Sequence, residues 1–202
     1  MDGDIMGNLT LNGSTSGQLT ISPPAVAGSN TATFPAGTGT VSVNNVSSNI
    51  VQGTSQATTS GTAILFSGIP SWVKKITILF NGVSTSGTSI PLIQVGSGSV
   101  TTSGYVGNSQ SLTTAPASAA SAAGTGWPIQ STTATNTFYG AVILYNFSGN
   151  TWIASGMLNQ STAASSFVNG TIALSGALDR VNVTTTNGTD TFDAGSMNIL
   201  YE

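Results

Sequence analysis

Few side chains in this sequence could carry covalent chemistry, and most of them lie near its end. Asp179, Asp190, Asp193 and Glu202 are the carboxylates beyond the first few residues, and a pair of such groups flanking a sugar linkage is what glycoside hydrolysis requires, one as acid and the other as base or nucleophile. Asp190 and Asp193 follow the turn signal Asn187-Gly188, so their expected work is hydrogen bonding around a turn rather than catalysis. The run from Asn187 to Asp193 could also offer oxygens to a weakly held calcium ion. The Asp-x-Asp-x-Asp-Gly spacing of a calcium loop is missing, however, and a solvated turn is the expectation. Asp179 and Arg180 are adjacent; on a strand they would point to opposite faces, so each is expected to find its partner elsewhere. No catalytic residue, cofactor or metal site is assigned.

Aromatic residues offer a second kind of chemistry, since a ring face can stack on a sugar. Trp72, Trp127, Trp152, Tyr105 and Tyr139 are the candidates. Trp152 alternates with Ile153 and is expected in the core. Trp127 sits between Gly126 and Pro128, which predicts an exposed loop and makes it the candidate contact for a glycan or partner. Lys74-Lys75 is the one basic pair, too little for a phosphate backbone, and reads as the guard of an edge strand. Gly13, Gly17, Gly37 and Gly39 do not make a phosphate loop, because the Lys-Ser/Thr ending and the following helix are absent.

Composition explains this scarcity. Only 4% of the 202 residues are charged, with a net charge of -3, against about a quarter in an ordinary soluble domain. Ser, Thr and Asn supply 76 residues and Gly 25, so the surface must be neutral and polar. With no His and no Cys, the chain lacks an imidazole base, a thiol nucleophile, disulfides and zinc-thiolate sites. It carries neither the basic footprint of a nucleic-acid binder nor the charge of a self-repelling disordered tail. No apolar run is long enough to insert in a membrane as a helix, and the start MDGDIMGNLT has no basic and apolar leader regions, so no secretion leader is expected.

At 39% apolar residues a core is affordable, and the elements that must build it read as strands. Residues 1–58 hold short alternating fragments, Leu9-Thr10-Leu11, Leu19-Thr20-Ile21 and Val41-Ser42-Val43, broken by Gly, Asn and Pro. These predict an extended N-terminal arm, an attachment module of short strands completed by neighbours. Gln52 to Gly61 has almost nothing to bury and is expected as a linker. Residues 59–202 are expected to form one β domain. Lys75 to Phe80 is β-branched and closed by Asn81-Gly82, a hairpin signal; Phe138 to Phe147 and Thr151 to Ser155 flank Ser148-Gly149-Asn150, a second. Three further strands are expected around Ile172, Val181 and Ile199, and a loop at the Ala/Ser tract from Ala115 to Ala123. Many short strands without helical periodicity predict an all-β fold, a β-sandwich of jelly-roll type.

Two stretches carry a resemblance. Gly7 to Ile21 followed by Pro24 to Thr40 looks like a module frequent in bacteriophage tail-fibre and other virion proteins. Phe66-Ser67-Gly68-Ile69-Pro70 through Ser84, with Ser148 to Trp152 and Asp190 to Ser196, is similar to C-terminal domains of phage or prophage tail proteins. The resemblance implies a non-enzymatic bacteriophage virion structural protein of tail-fibre or receptor-binding type, homotrimeric, located in the virion, in contact with other tail or capsid proteins and with host surface glycan. It implies no cofactor, nucleic acid or membrane insertion. The alternative is a capsid decoration (cement) protein whose N-terminal arm clamps the capsid; a polysaccharide depolymerase is disfavoured by the acid count.

Overall fold

The computed structural model describes residues 9–12, 18–21, 50–113, 119–122, 124–131, 133–161 and 164–202. The chain divides into two compact units, Met1–Asn45 and Val46–Glu202. In the first, β1 (Leu9–Asn12) pairs antiparallel with β2 (Gln18–Ile21), in register from Leu9 with Ile21 to Asn12 with Gln18. Residues 22–49 of the expected N-terminal arm, including Val41-Ser42-Val43, lie outside the described residues.

The second unit is all strand and turn among its described residues. Its elements are β3 (Val51–Gln52), β4 (Gln56–Ala57), β5 (Ile64–Ser67), β6 (Lys75–Thr85), β7 (Pro91–Ser97), β8 (Ser99–Val100), β9 (Val106–Thr113), β10 (Ala119–Ser121), β11 (Trp127–Pro128), β12 (Phe138–Ser148), β13 (Thr151–Gln160), β14 (Ala164–Ala173), β15 (Arg180–Thr185) and β16 (Phe192–Tyr201). A large sheet runs β10-β9-β14-β13-β12-β6-β16-β3, with β4 also on β16; a small one runs β11-β7-β15-β5, with β8 on β7. Every pairing is antiparallel.

The two sheets pack as a β-sandwich on one apolar cluster. Ile76, Ile78, Val142, Leu144 and Leu158 come from the large sheet and Ile64, Phe66, Val95, Val181 and Val183 from the small one, none more than 5% exposed. Alternation does this: along β6 every second residue from Ile76 to Phe80 is buried and the intervening ones are not, the pattern a sheet covered on one face requires. The pairs β6/β16, β7/β15, β9/β14 and β12/β13 are nested, each enclosing the next. Nesting of this kind is what a long hairpin rolled upon itself produces. The strands are divided unequally between the sheets.

The turn at Gly149 joins β12 to β13 as expected, with Gly149 at φ 54° and Ser148 opposite Thr151. Three other expectations are corrected. Asn81-Gly82 does not close a hairpin: β6 continues to Thr85, and Gly82 (φ 69°) faces Gly195 (φ 88°) in a paired bulge of β6 and β16. Both positions need glycine, because a Cβ on Gly195 would stand 2.3 Å from the Gly82 carbonyl oxygen.

Residues 52–58, most of the Gln52 to Gly61 segment expected as a linker, lie inside the second unit, which begins at Val46. They form the broken outer strand of the large sheet, through Gly53 N–H to Ile199 O (2.8 Å), Thr58 N–H to Gly195 O (3.0 Å) and Thr58 Oγ1–H to Ala194 O (2.6 Å). What ties them down is backbone, which side-chain hydropathy does not register. Within the Ala/Ser tract, Ala119–Ser121 is a short edge strand on β9 instead of a loop.

Candidate interaction surface

The titratable side chains are dispersed, and each described carboxylate has a bonding role. Asp179 and Arg180 pair directly, Nε to Oδ1 at 2.7 Å and Nη2 to Oδ2 at 3.1 Å, correcting the expectation of separate partners. The reason is local: the strand begins at Arg180, so Asp179 lies outside the alternating backbone and also accepts from Gly98 N–H at 3.0 Å. The guanidinium beside it holds the Asp179 carboxyl below its usual value.

Asp190 fastens a turn. Its oxygens accept from Asn187 Nδ2 (2.7 Å) and Ser89 N–H (2.9 Å), and these bonds lower its pKa. Asp193 accepts instead from the Ser84 hydroxyl across the bulge. Among the described residues no three His, Cys, Asp or Glu gather into a metal-binding group.

Lys75 is bonded to Glu202, which raises its pKa. It lies on β6, an inner strand between β12 and β16, so the edge-guard reading of Lys74-Lys75 is corrected. Lys74 follows the same border and donates to Asn146 Oδ1 at 3.3 Å.

Trp127 is the principal correction. Its expected exposure is overturned: the residue is 0% exposed. Its ring meets Tyr105 edge-on at 5.1 Å and 90°, while its backbone pairs with Ile93 as β11. The space comes from Gly170 on β14, where a Cβ would lie 2.6 Å from the indole. A short flanking loop therefore plugs the sandwich with its largest side chain. Tyr105 is buried with it, accepting from Val95 N–H at 2.7 Å with its own O–H directed to the carbonyls of Val95 (3.1 Å) and Thr101 (3.0 Å). Burial pushes its phenol up to about 12. Trp152 is buried as expected. Trp72 is half exposed and rests tilted against Tyr201.

The outer face of the large sheet is a broad surface crossed by β9, β14, β13, β12, β6 and β16. Register lays its side chains in transverse rows. One row crosses β9 to β16 as Gln110, Phe167, Met157, Ala141, Leu79 and Asn198. The next is Asn108, Asn169, Ser155, Ile143, Thr77 and Leu200. A third carries Val106, Thr171, Ile153, Tyr145 and Lys75, and on the other flank Leu112, Ser165, Asn159, Tyr139 and Asn81 make a fourth.

About half of these positions are apolar. Met157 (55%), Tyr139 (45%) and Tyr145 (43%) are exposed, and Lys75 is the only charged residue in the four rows. Apolar side chains exposed in this number among neutral polar ones make the face a candidate contact surface.

Of the aromatic candidates read from the sequence, only Tyr139 falls on this face. Its other members were hidden in plain alternation: Ile153 and Met157 occupy outward positions of β13 between buried Trp152, Ala154 and Leu158. A smaller neutral cleft of about 390 Å³ lies between residues 52–56 and β5, lined by Gln52, Gln56, Leu65, Ser67 and Tyr201 among others. No protein-family model, curated protein or solved structure matches the chain.

Proposed function

We propose that this chain is a non-enzymatic structural protein of a bacteriophage particle, of tail-fibre or receptor-binding type, homotrimeric and in contact with other particle proteins and with host surface glycan. The observation that carries the reading is the wide outer face of the large sheet, apolar and amide-rich with a single charge, on a rigid two-sheet core. Such a face works through burial and neutral hydrogen bonds. The described carboxylates support it, since each is engaged in a turn, a bulge or an ion pair rather than facing another acid across a cleft.

Residues of the second resembling stretch take structural roles compatible with it: Ser148 to Trp152 form a hairpin and Asp190 to Ser196 form the turn and bulge entering β16. Mass spectrometry of purified particles, with gold-labelled antibody to place the chain, tests the proposal. Label on the tail is the expected result. Label on the head would transfer the chain to the decoration role, and absence from particles would overturn both.

A further inference from the structure

We infer that the outer face of the large sheet is covered by a second copy of this chain, packed face against face. The inference deepens the structural role proposed above and rests on reading this face as a contact surface. Three features select a copy of the same chain over another occupant.

First, the face is broad. Five interstrand steps of about 4.8 Å and three two-residue steps of about 6.8 Å give roughly 24 Å by 20 Å, or about 500 Å² in projection. The pleat raises the accessible area above that projection, toward the ~800 Å² per partner of a stable interface.

Second, its chemistry is self-compatible. The single charge, Lys75, lies at the border and is already paired with Glu202, so two identical faces meet without like-charge repulsion.

Third, its centre is aliphatic as much as aromatic. Met157 stands beside Phe167 and Ala141, and Ile153 beside Tyr145. Rows of this kind interdigitate with the rows of another sheet, as the inner faces of a sandwich do at about 10 Å.

The experiment uses the full chain. Sedimentation at about 50 µM is expected to give twice the chain mass of 20.1 kDa, or six times it where such face-to-face pairs join two trimers. Met157→Lys with Phe167→Lys, adjacent across β13 and β14, is expected to raise the dissociation constant at least tenfold with an unchanged circular dichroism spectrum.

A second variant guards against misfolding. The chain has no cysteine, so Ser155→Cys places one thiol at the centre of the face. The sheet separation exceeds disulfide reach, and a bismaleimide with a spacer near 10 Å is expected to link copies through it. A wild type that is a monomer or a closed trimer would overturn the inference, as would an oligomer that withstands the double lysine variant or leaves Ser155→Cys unlinked. A monomer whose lysine variant loses binding to host polysaccharide would overturn it too, giving the face to the glycan. Particle location is read separately, so failure here is distinguishable from failure of the structural role.

Discussion

Tyr105 shows how one hydroxyl can serve a buried edge. It receives the Val95 N–H and lies within bonding distance of two carbonyls, and its ring closes on Trp127. Tyr105→Phe leaves the Val95 N–H without a partner and is expected to cost about 1–3 kcal/mol in denaturant unfolding. The same residue sets an alkaline limit. Its folded-state pKa, about 12, lies above the ordinary 10.0, so the folded state holds the proton more tightly. That stabilisation is complete below pH 10 and is lost as pH rises toward 12, a fall of up to about 3 kcal/mol. Melting temperatures across this range are expected to drop in the wild type and to lose this component in Tyr105→Phe. Gly170 is the complementary case. A methyl group there would stand 2.3 Å from the Val106 carbonyl oxygen and 2.6 Å from the Trp127 ring, so Gly170→Ala is expected to lose about 3 kcal/mol by overpacking, with a changed tryptophan emission.

Among the elements, the sheet edges are managed without charge. β10 has three residues, β3 and β4 two each, and β11 carries Pro128, which cannot donate to a ladder. β5 is longer, and there the Gln56 side-chain amide donates to the Leu65 carbonyl at 2.8 Å, standing where a neighbouring strand's N–H would. The segment 50–58 performs the same service for β16. A chain beginning at Val46 is therefore expected to keep the stability of the second unit. One beginning at Ser60 loses the bonds made by Gly53 and Thr58, the pairings of β3 and β4 with β16 and the Gln56 bond to Leu65, and leaves β16 uncovered over much of its length. At about 1 kcal/mol per bond the loss exceeds about 3 kcal/mol, read as a lower urea midpoint, with aggregation at the bared edge.

For the whole molecule, charge arithmetic dominates. Nine charged side chains in 202 residues, several of them spent in the pairs Lys75–Glu202 and Arg180–Asp179, leave little for long-range steering. Affinity for host polysaccharide is expected to change less than about threefold between 50 and 200 mM salt, where a protein neutralising several phosphates loses roughly 10³-fold. Titration of the dissociation constant across that range checks it. A steep loss would locate an ionic contact at Lys74, Lys75 or Arg180 and contradict the neutral-surface mechanism.

What was legible without coordinates is what a strand records in its own residues. Alternation marked the all-β class, the buried Trp152 and the turn at Ser148-Gly149-Asn150, since each depends on neighbours a few residues apart. The outward positions of Ile153 and Met157 follow from the same periodicity. Their union with Phe167, Ile143 and Tyr145 into one face does not, because it requires the register of strands far apart in the chain. Tertiary structure alone decided the rest. Asn81-Gly82 became a bulge because Gly195, over a hundred residues later, admits its backbone. Residues 52–58 became a strand because β16 offers backbone partners, to which side-chain pattern is blind. Asp179 met Arg180 because the strand starts one residue after it. Trp127 turned inward because Gly170 left a hole of its size, and a cavity's shape is a property of packed elements that no local stretch of sequence contains.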